Sequence, residues 1–377
     1  MTTDSRGPRP GDGDRGPRVH WYLPTAGDGR DIVGWAHSRT ATDDPRAVGR
    51  PPDPGYLADV ARAAERLGFE SVLTPTGTWC EDAWITTAAL TAQTSTLTFI
   101  VALRPDSIAP TLAAQMAATF HRQSGGRLAL NIVTGSDEQE QRRFGDRLEH
   151  DRRYERTEEF LRVLRGAWGA EPFDFRGEHY DVTGATVGRR LDGPPPTVYL
   201  GGASPAAADV SARHADVHLA WGEPPKAVAA QLDGVRERAA ALDRPAPEFG
   251  IRLHVITRDT AAEAWAQADR MLAALDPEAI AVARRRFAAS TSVGQRRMTA
   301  LTDGGADRLE VAPNLWAGFA LVRRHAGTAL VGSHQQVAER IAEYRALGVE
   351  HFILSGQPHL EEAYTVGEEL LPLLRKL

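Results

Sequence analysis

"FGIRLHVIT", residues 249–257, is built as a buried strand yet carries an arginine and a histidine two positions apart. Side chains alternate along a strand, so Gly250, Arg252, His254 and Ile256 share one face while Ile251, Leu253 and Val255 take the other. The second face is aliphatic and suits packing under helices. The first places a guanidinium and an imidazole where a strand buried on both faces should be almost continuously apolar. An unpaired charge in a dry interior is costly, so this pair needs satisfaction from neighbours, water or a bound molecule. A core histidine held by one carbonyl is ordinary. An arginine beside it on the same face favours an anion-binding or acid–base site.

Seven further runs share the strand character of this one: VHWYL (19–23), ESVLT (70–74), LTFIVAL (97–103), LALNIV (128–133), TVYLGG (197–202), DVHLAWG (216–222) and HFILSG (351–356). Helix-period segments separate them at 55–67, 83–92, 109–124, 151–167, 205–214, 225–241, 260–275 and 334–347, and another follows at 360–375. Ser333 is placed to cap the helix of "SHQQVAERIAEYRALG" and Gly348 to close it. Alternation of this kind predicts a parallel sheet, and eight strands predict an α/β fold of the (β/α)8 TIM-barrel type. Two spacers exceed what a barrel connection needs. Residues 171–196 read as a hairpin excursion. Residues 276–332 form a long insertion between strands seven and eight, either a mobile lid over the strand ends or a peripheral helical decoration. Residues 19–377 are expected to form one domain, and 1–18, rich in Gly, Pro, Arg and Asp, a disordered tail.

A net charge of −6 and a pI near 6.1 argue against a nucleic-acid binder. Cys80 is the single cysteine, so no intramolecular disulfide or cysteine-based metal cluster can form, and a reducing, cytoplasmic setting is expected. No apolar run approaches the length of a membrane span, and the N-terminal segment lacks the apolar stretch of a signal peptide.

GxGxxG after a strand, Walker A, HExxH and GxSxG are all absent, and no spacing indicates a metal site. "YLGGASPAAADV" (199–210) ends a strand in two glycines and opens a helix at Ser204 and Pro205, which suits either a phosphate or an ordinary capped turn. "HDRRYERTEEF" (150–160) adds Tyr154 and an arginine to such a site, or is a charged helix face. Cys80, in "TPTGTWCEDAW" (74–84), reads as a small buried residue or as a thiol nucleophile. Asn131, inside strand four, is a satisfied interior amide or a ligand group.

Taken together, "LPTAGDGR", "TPTGTWCEDAW", "VALRP", "GRLALNIVTGSD", "LGGAS", "LAWGEPP", "FGIRLHVI", "SVGQRRMTAL", "NLWAG", "AGTALVG" and "LSGQPHLEEAY" resemble, in order from about residue 19 onward, the FMNH2-dependent alkanesulfonate monooxygenases of the bacterial-luciferase-like flavin monooxygenases. The resemblance implies a luciferase-like TIM barrel that takes FMN, as FMNH2, from a separate NAD(P)H:FMN reductase and reacts it with O2. A flavin peroxide would then oxygenate a small, anionic organosulfonate to give an aldehyde and sulfite. It implies a homodimer or homotetramer with neither a nucleic-acid nor a membrane partner. By position, catalytic roles fall on Arg252, His254, Cys80 and Arg323, and substrate contacts on Trp221, Gln357, Arg252 and Arg323. FMN contacts fall on Ala102, Asn131, His150, Tyr154 and Ser204, and no metal is implied. Arg252 would face the anion, His254 would orient it or shuttle a proton, and Arg323 would arrive with the insertion. Departures from the family lie near the expected substrate pocket. Gln357 replaces a tyrosine, exchanging a titratable phenol for a neutral amide, and the first long connection is extended. The alternative uses are oxygenation at nitrogen, at a sulfone or at an amide, and a non-catalytic flavin-binding protein.

Overall fold

The computed structural model describes residues 16–32, 49–135, 137–191, 193–288, 290–303 and 309–377. Most of the expected tail (1–15) and much of the long first connection (33–48) lie outside the described residues. Eight parallel strands close into a barrel: β1 (Arg18–Tyr22), β2 (Ser71–Thr74), β3 (Thr98–Leu103), β4 (Leu128–Ile132), β5 (Thr197–Gly201), β6 (Val217–Trp221), β7 (Glu248–Arg258) and β8 (Val349–Ser355). Each strand pairs with the next, and β8 closes onto β1. The (β/α)8 expectation therefore stands. So does the hairpin in the first spacer, where Phe173–Arg176 pairs antiparallel with Asp181–Ala185.

Local chemistry explains the helix boundaries. The helix Pro54–Leu67 starts on Asp53, whose side chain accepts from the Tyr56 N–H, and ends at Gly68 in a left-handed conformation with φ 88°. Ser333 and Gln336 form a reciprocal capping box at the start of His334–Ala346. The outward faces of the strands and the inward faces of these helices form the main core, with Ile251, Leu253 and Val255 of β7 fully or almost fully buried in it. Inside the barrel, a smaller apolar layer of Tyr22, Leu73, Ile100, Tyr199, Leu219 and Ile353 separates the two ends. The N-terminal end is plugged by polar groups: the imidazoles of His20 and His351 are bonded at 3.0 Å, and His351 lies 2.8 Å from Glu248.

Among its described residues, the long insertion has secondary structure of its own. It contains helices Pro277–Ala288 and Val293–Ala300, and it returns through a strand, Ala329–Ser333, that the sequence reading had absorbed into the spacer. That strand pairs in parallel with β7, from Ala329 opposite His254 to Ser333 opposite Arg258. The first half of β7 pairs with β6 along the same edge. The 11 residues of β7 are thus divided, one half serving as a barrel stave and the other projecting past the rim to carry the insertion. Ile256, Met271, Phe287, Trp316, Phe319 and Val331 give the projecting part its own apolar cluster.

Candidate active site

A cavity opens at the C-terminal ends of the barrel strands, the end where loops and strand termini supply function in this architecture. Arg252 and His254 both line it, as the shared inward face of β7 required. Arg252 donates to the carbonyls of Leu253 (2.5 Å) and Ile353 (3.3 Å) and to the Ser355 hydroxyl (2.8 Å), and its guanidinium lies 4.8 Å from the Tyr22 ring centre. None of these partners is a carboxylate. Burial pulls its pKa down to about 9, with the charge of Arg323 lowering it further and Tyr22 opposing, so it stays cationic at neutral pH.

Two groups compete for Nε2 of His254: the Ala326 carbonyl at 3.2 Å, which can only accept, and Arg323 Nη1 at 3.4 Å, which can only donate; the closer contact assigns the proton to Nε2. The other ring nitrogen, Nδ1, then accepts from the Ser355 hydroxyl at 2.7 Å. Burial, followed by the charges of Arg323 and Arg252, holds the imidazole well below the ordinary histidine range, and its ring stacks on Phe319 at 4.1 Å. A neutral His254 fits the positioning role, and it speaks against an imidazolium shuttle at neutral pH.

The insertion supplies the opposite wall. Arg323, Arg324, His325 and Ala326 line the cavity, as do Ser292, Val293 and Gly294 at the start of a helix. Arg323 is buried, lies 3.4 Å from His254 Nε2 and packs over Phe319. Burial lowers its pKa to about 10 against the opposing pull of Tyr22 and Asp28. Arg324 forms an ion pair with Asp137 in the β4 loop, and Arg297 pairs with Glu223 at 2.8 Å after β6. Arg286 adds a third contact, 3.7 Å from Asp137, so three ion pairs among the described residues tie the insertion to the barrel rim. Trp221, whose backbone is the register neighbour of Arg252, also faces the cavity.

Away from this cationic end the cavity runs to the start of helix Pro205–His214. Ser204 caps that helix by accepting from the Ala207 N–H at 3.1 Å. Tyr154 is buried against Ser204, and burial raises its phenol to about 12 despite that hydroxyl contact. Gly202 has φ 149°, and a side-chain carbon there would lie 2.5 Å from both the Tyr154 hydroxyl and Ala207 Cβ. Glycine therefore lets the backbone pass close against Tyr154 and Ala207 in front of a helix N-terminus, beside His150. This is the geometry of a phosphate cradle. Ala102 and Asn131, register partners on β3 and β4, line the cavity between its two ends. The residues present fit a phosphorylated flavin: a helix start at Ser204 with N–H groups left free among the described residues, and an inward lining at Ala102 and Asn131.

Two expected site residues are not brought in. Cys80 does not line the cavity; its Sγ lies 3.6 Å from the Gly77 carbonyl, and burial, with Glu140, Asp82 and Glu81 adding to it and Thr25 opposing, pushes the thiol up to about 12. A thiol so held is protonated at neutral pH. Gln357 is buried and does not line the cavity, and neither end of its amide has a partner among the described residues. Sequence reasoning missed Tyr22, Ser355, Arg324, His325 and Glu223. Tyr22 and Ser355 occupy inward positions of β1 and β8, so strand alternation from their neighbours was the available signal. Nothing in the sequence marked Arg324 or His325. Among the described residues, no group of three potential ligands is arranged for a metal, and no helix is long and apolar enough to cross a membrane.

The sequence pattern of one family, luciferase-like monooxygenase, matches residues 33–351. Several solved structures share the fold. A riboflavin lyase with modified FMN and substrate riboflavin superposes with a TM-score of 0.78 at 19% identity, over 96% of this chain and 92% of that one. An EDTA monooxygenase from a Chelativorans species gives 0.74 at 21% identity, over 96% and 93%. An F420-dependent secondary alcohol dehydrogenase, in complex with an F420-acetone adduct, gives 0.68 at 16% identity, over 96% and 99%. At these identities the likeness establishes the fold alone.

Proposed function

The chain belongs to the luciferase-like monooxygenase family, and we propose that it is a two-component, reduced-FMN-dependent monooxygenase that cleaves a small organosulfonate to an aldehyde and sulfite. The carrying observation is a cavity with a capped helix start at one end and, at the other, two arginines, the half-buried Arg252 and the buried Arg323, the first of which has no anionic partner among the described residues. Buried guanidiniums offer bidentate, charge-assisted hydrogen bonds to an oxyanion, and such bonds are strong where water is excluded.

Reduced FMN, when bound, supplies the electrons with which O2 is activated. Gly202, Ser204, Tyr154 and His150 would hold its phosphate, and Ala102 and Asn131 would border its ring. Arg252 grips the sulfonate head group, held in place by Ser355 and the Ile353 carbonyl. His254 fixes Ser355 from behind and presents its Nε2 proton to Ala326, coupling the arginine to the insertion. Arg323, Arg324 and the segment 292–294 close the cavity against water, which protects reactive intermediates and strengthens every charge interaction inside. A separate NAD(P)H:FMN reductase would deliver the flavin, and a homodimeric or homotetrameric, cytoplasmic protein is part of the same reading.

The test is sulfite release from a panel of short and medium alkanesulfonates in the presence of FMN, a reductase, NADH and oxygen. No sulfite from any of them, together with oxygenation of a non-sulfonate compound at nitrogen, at a sulfone or at an amide, would replace this reading by the second. Gln357, where the alkanesulfonate monooxygenases have a tyrosine, is the observation in that reading's favour. Absence of substrate-dependent oxygen consumption would leave a flavin-binding protein.

A further inference from the structure

Three non-glycine residues among those described adopt left-handed backbone, Asp243, Asn314 and His325, and of these only His325 lines the cavity. Its φ is 70°, a left-handed conformation that carries a backbone cost for residues other than glycine, although histidine bears it better than most. Such a cost persists where the surroundings over-determine it. Here the His325 N–H donates to Gln295 Oε1 at 3.1 Å, and the ring meets Trp221 edge-on at 5.8 Å and 81°. Ala326, the next residue, accepts from His254, and Arg323 lies two residues before.

Trp221 is confined on another side by Gly294, where a side-chain carbon would sit 3.0 Å from Cζ3 of the indole. The indole therefore has little freedom to move, and the two rings form a fixed corner beside Arg252, the register neighbour of Trp221. Burial, followed by the charges of Arg324, Arg104 and Arg323, depresses the His325 imidazole to about 3. It meets a ligand as an uncharged wall, and it discriminates by shape.

We propose that His325 is a specificity-determining residue, closing with Trp221 the compartment for the organic part of the anion held by Arg252 and Arg323 and so restricting the substrate to short chains. This rests on the organic-anion reading above and deepens it. Ring removal should open the corner, and each methylene then accommodated in an apolar pocket is worth roughly tenfold or more in binding.

The test is calorimetric titration of the full chain with methanesulfonate and octanesulfonate, for the parent, His325→Gly and His325→Asn. Both replacements accept left-handed backbone, so folding is preserved. The expected result for His325→Gly is a ratio of octanesulfonate to methanesulfonate affinity raised about tenfold, with the melting temperature not lowered; His325→Asn shifts the ratio in the same direction by less. An unchanged ratio of the two affinities, or parallel weakening of both with a lowered melting temperature, overturns the proposal in favour of a structural role. Acetate and octanoate are titrated alongside. If the carboxylates alone bind and show the chain-length shift, the sulfonate reading fails while the role of His325 stands; if no anion binds, both fail. A parallel FMN titration reports separately on the flavin site.

Discussion

Arg252 reaches His254 through a third residue: Ser355 Oγ lies 2.8 Å from Arg252 Nη2 and 2.7 Å from His254 Nδ1. The hydroxyl accepts from the guanidinium and donates to the imidazole. Arginine orientation, histidine tautomer and the Ala326 carbonyl of the insertion are thereby set by one chain of hydrogen bonds.

Removing the hydroxyl should uncouple that chain. Ser355→Ala leaves a buried guanidinium N–H and an imidazole nitrogen unsatisfied, so unfolding stability should drop by ~1–3 kcal/mol. Organic-anion turnover should fall as well, while FMN affinity holds. Urea unfolding and steady-state kinetics on the same preparations check both halves; unchanged kinetics would remove Ser355 from the positioning role.

Arg252→Ala tests the anion grip directly. Loss of a charge-assisted bond of ~1.5–3 kcal/mol should lower kcat/KM for the organic anion roughly ten- to hundredfold. FMN binding, measured by quenching of its fluorescence, should stay within about twofold because the phosphate cradle is built at the other end of the cavity.

At that other end, Gly202→Ala should weaken FMN binding tenfold or more, roughly 1.4 kcal/mol or above. The new methyl would collide with the Tyr154 hydroxyl and Ala207 Cβ, each 2.5 Å from where it must sit. Anion binding at the arginines is expected to survive, which distinguishes a local block from a collapsed barrel.

Acid should destabilise the protein through its buried neutral imidazoles. His218, bonded to Ser211 at 2.9 Å, is lowered by burial to about 4. Between that value and the unfolded histidine value near 6.5, the unfolded chain binds the extra proton, so stability falls as pH drops, by ~1.4 kcal/mol per unit for this one group. His20 and His254, also held well below their ordinary value, act in the same direction. His218→Asn should reduce proton uptake on unfolding at pH 5 by nearly one. An identical stability–pH slope in parent and variant would contradict the assignment.

Gln357→Leu should be neutral or stabilising by ~1 kcal/mol, because it removes a buried amide with no partner among the described residues. Thermal unfolding checks this. A large loss of stability would show that the amide has a structural partner, and a loss of turnover with stability intact that it meets a ligand.

The barrel was legible because its strands are short apolar runs between helical periods and because Arg252 and His254 stood out against them. Every predicted strand lies within two residues of an observed one. The strand Ala329–Ser333 was not legible, since a brief apolar run after a long spacer carries no period of its own and acquires its identity only by pairing with β7. Site residues on strand faces, such as Asn131 and Trp221, could be placed by alternation, and Ser204 by its capping position. Cys80 and Gln357 sit in loops, where sequence position does not determine which way a side chain points. Arg324 and His325 fall in a loop of the insertion, and their approach to the cavity depends on ion pairing to Asp137 and on packing against Trp221.

The division of β7 has a consequence for inheritance and engineering. Arg252 is the last residue of the strand paired to β6, and His254 is the first paired to the returning strand. The seam between scaffold and insertion therefore passes between two neighbouring residues of the cavity wall. A transplant of the insertion from a relative cannot be cut cleanly at the loops on either side of 276–332; it must bring its own version of residues 254–258, and with them the imidazole. Substrate range and reaction geometry would then be exchanged as a single heritable block.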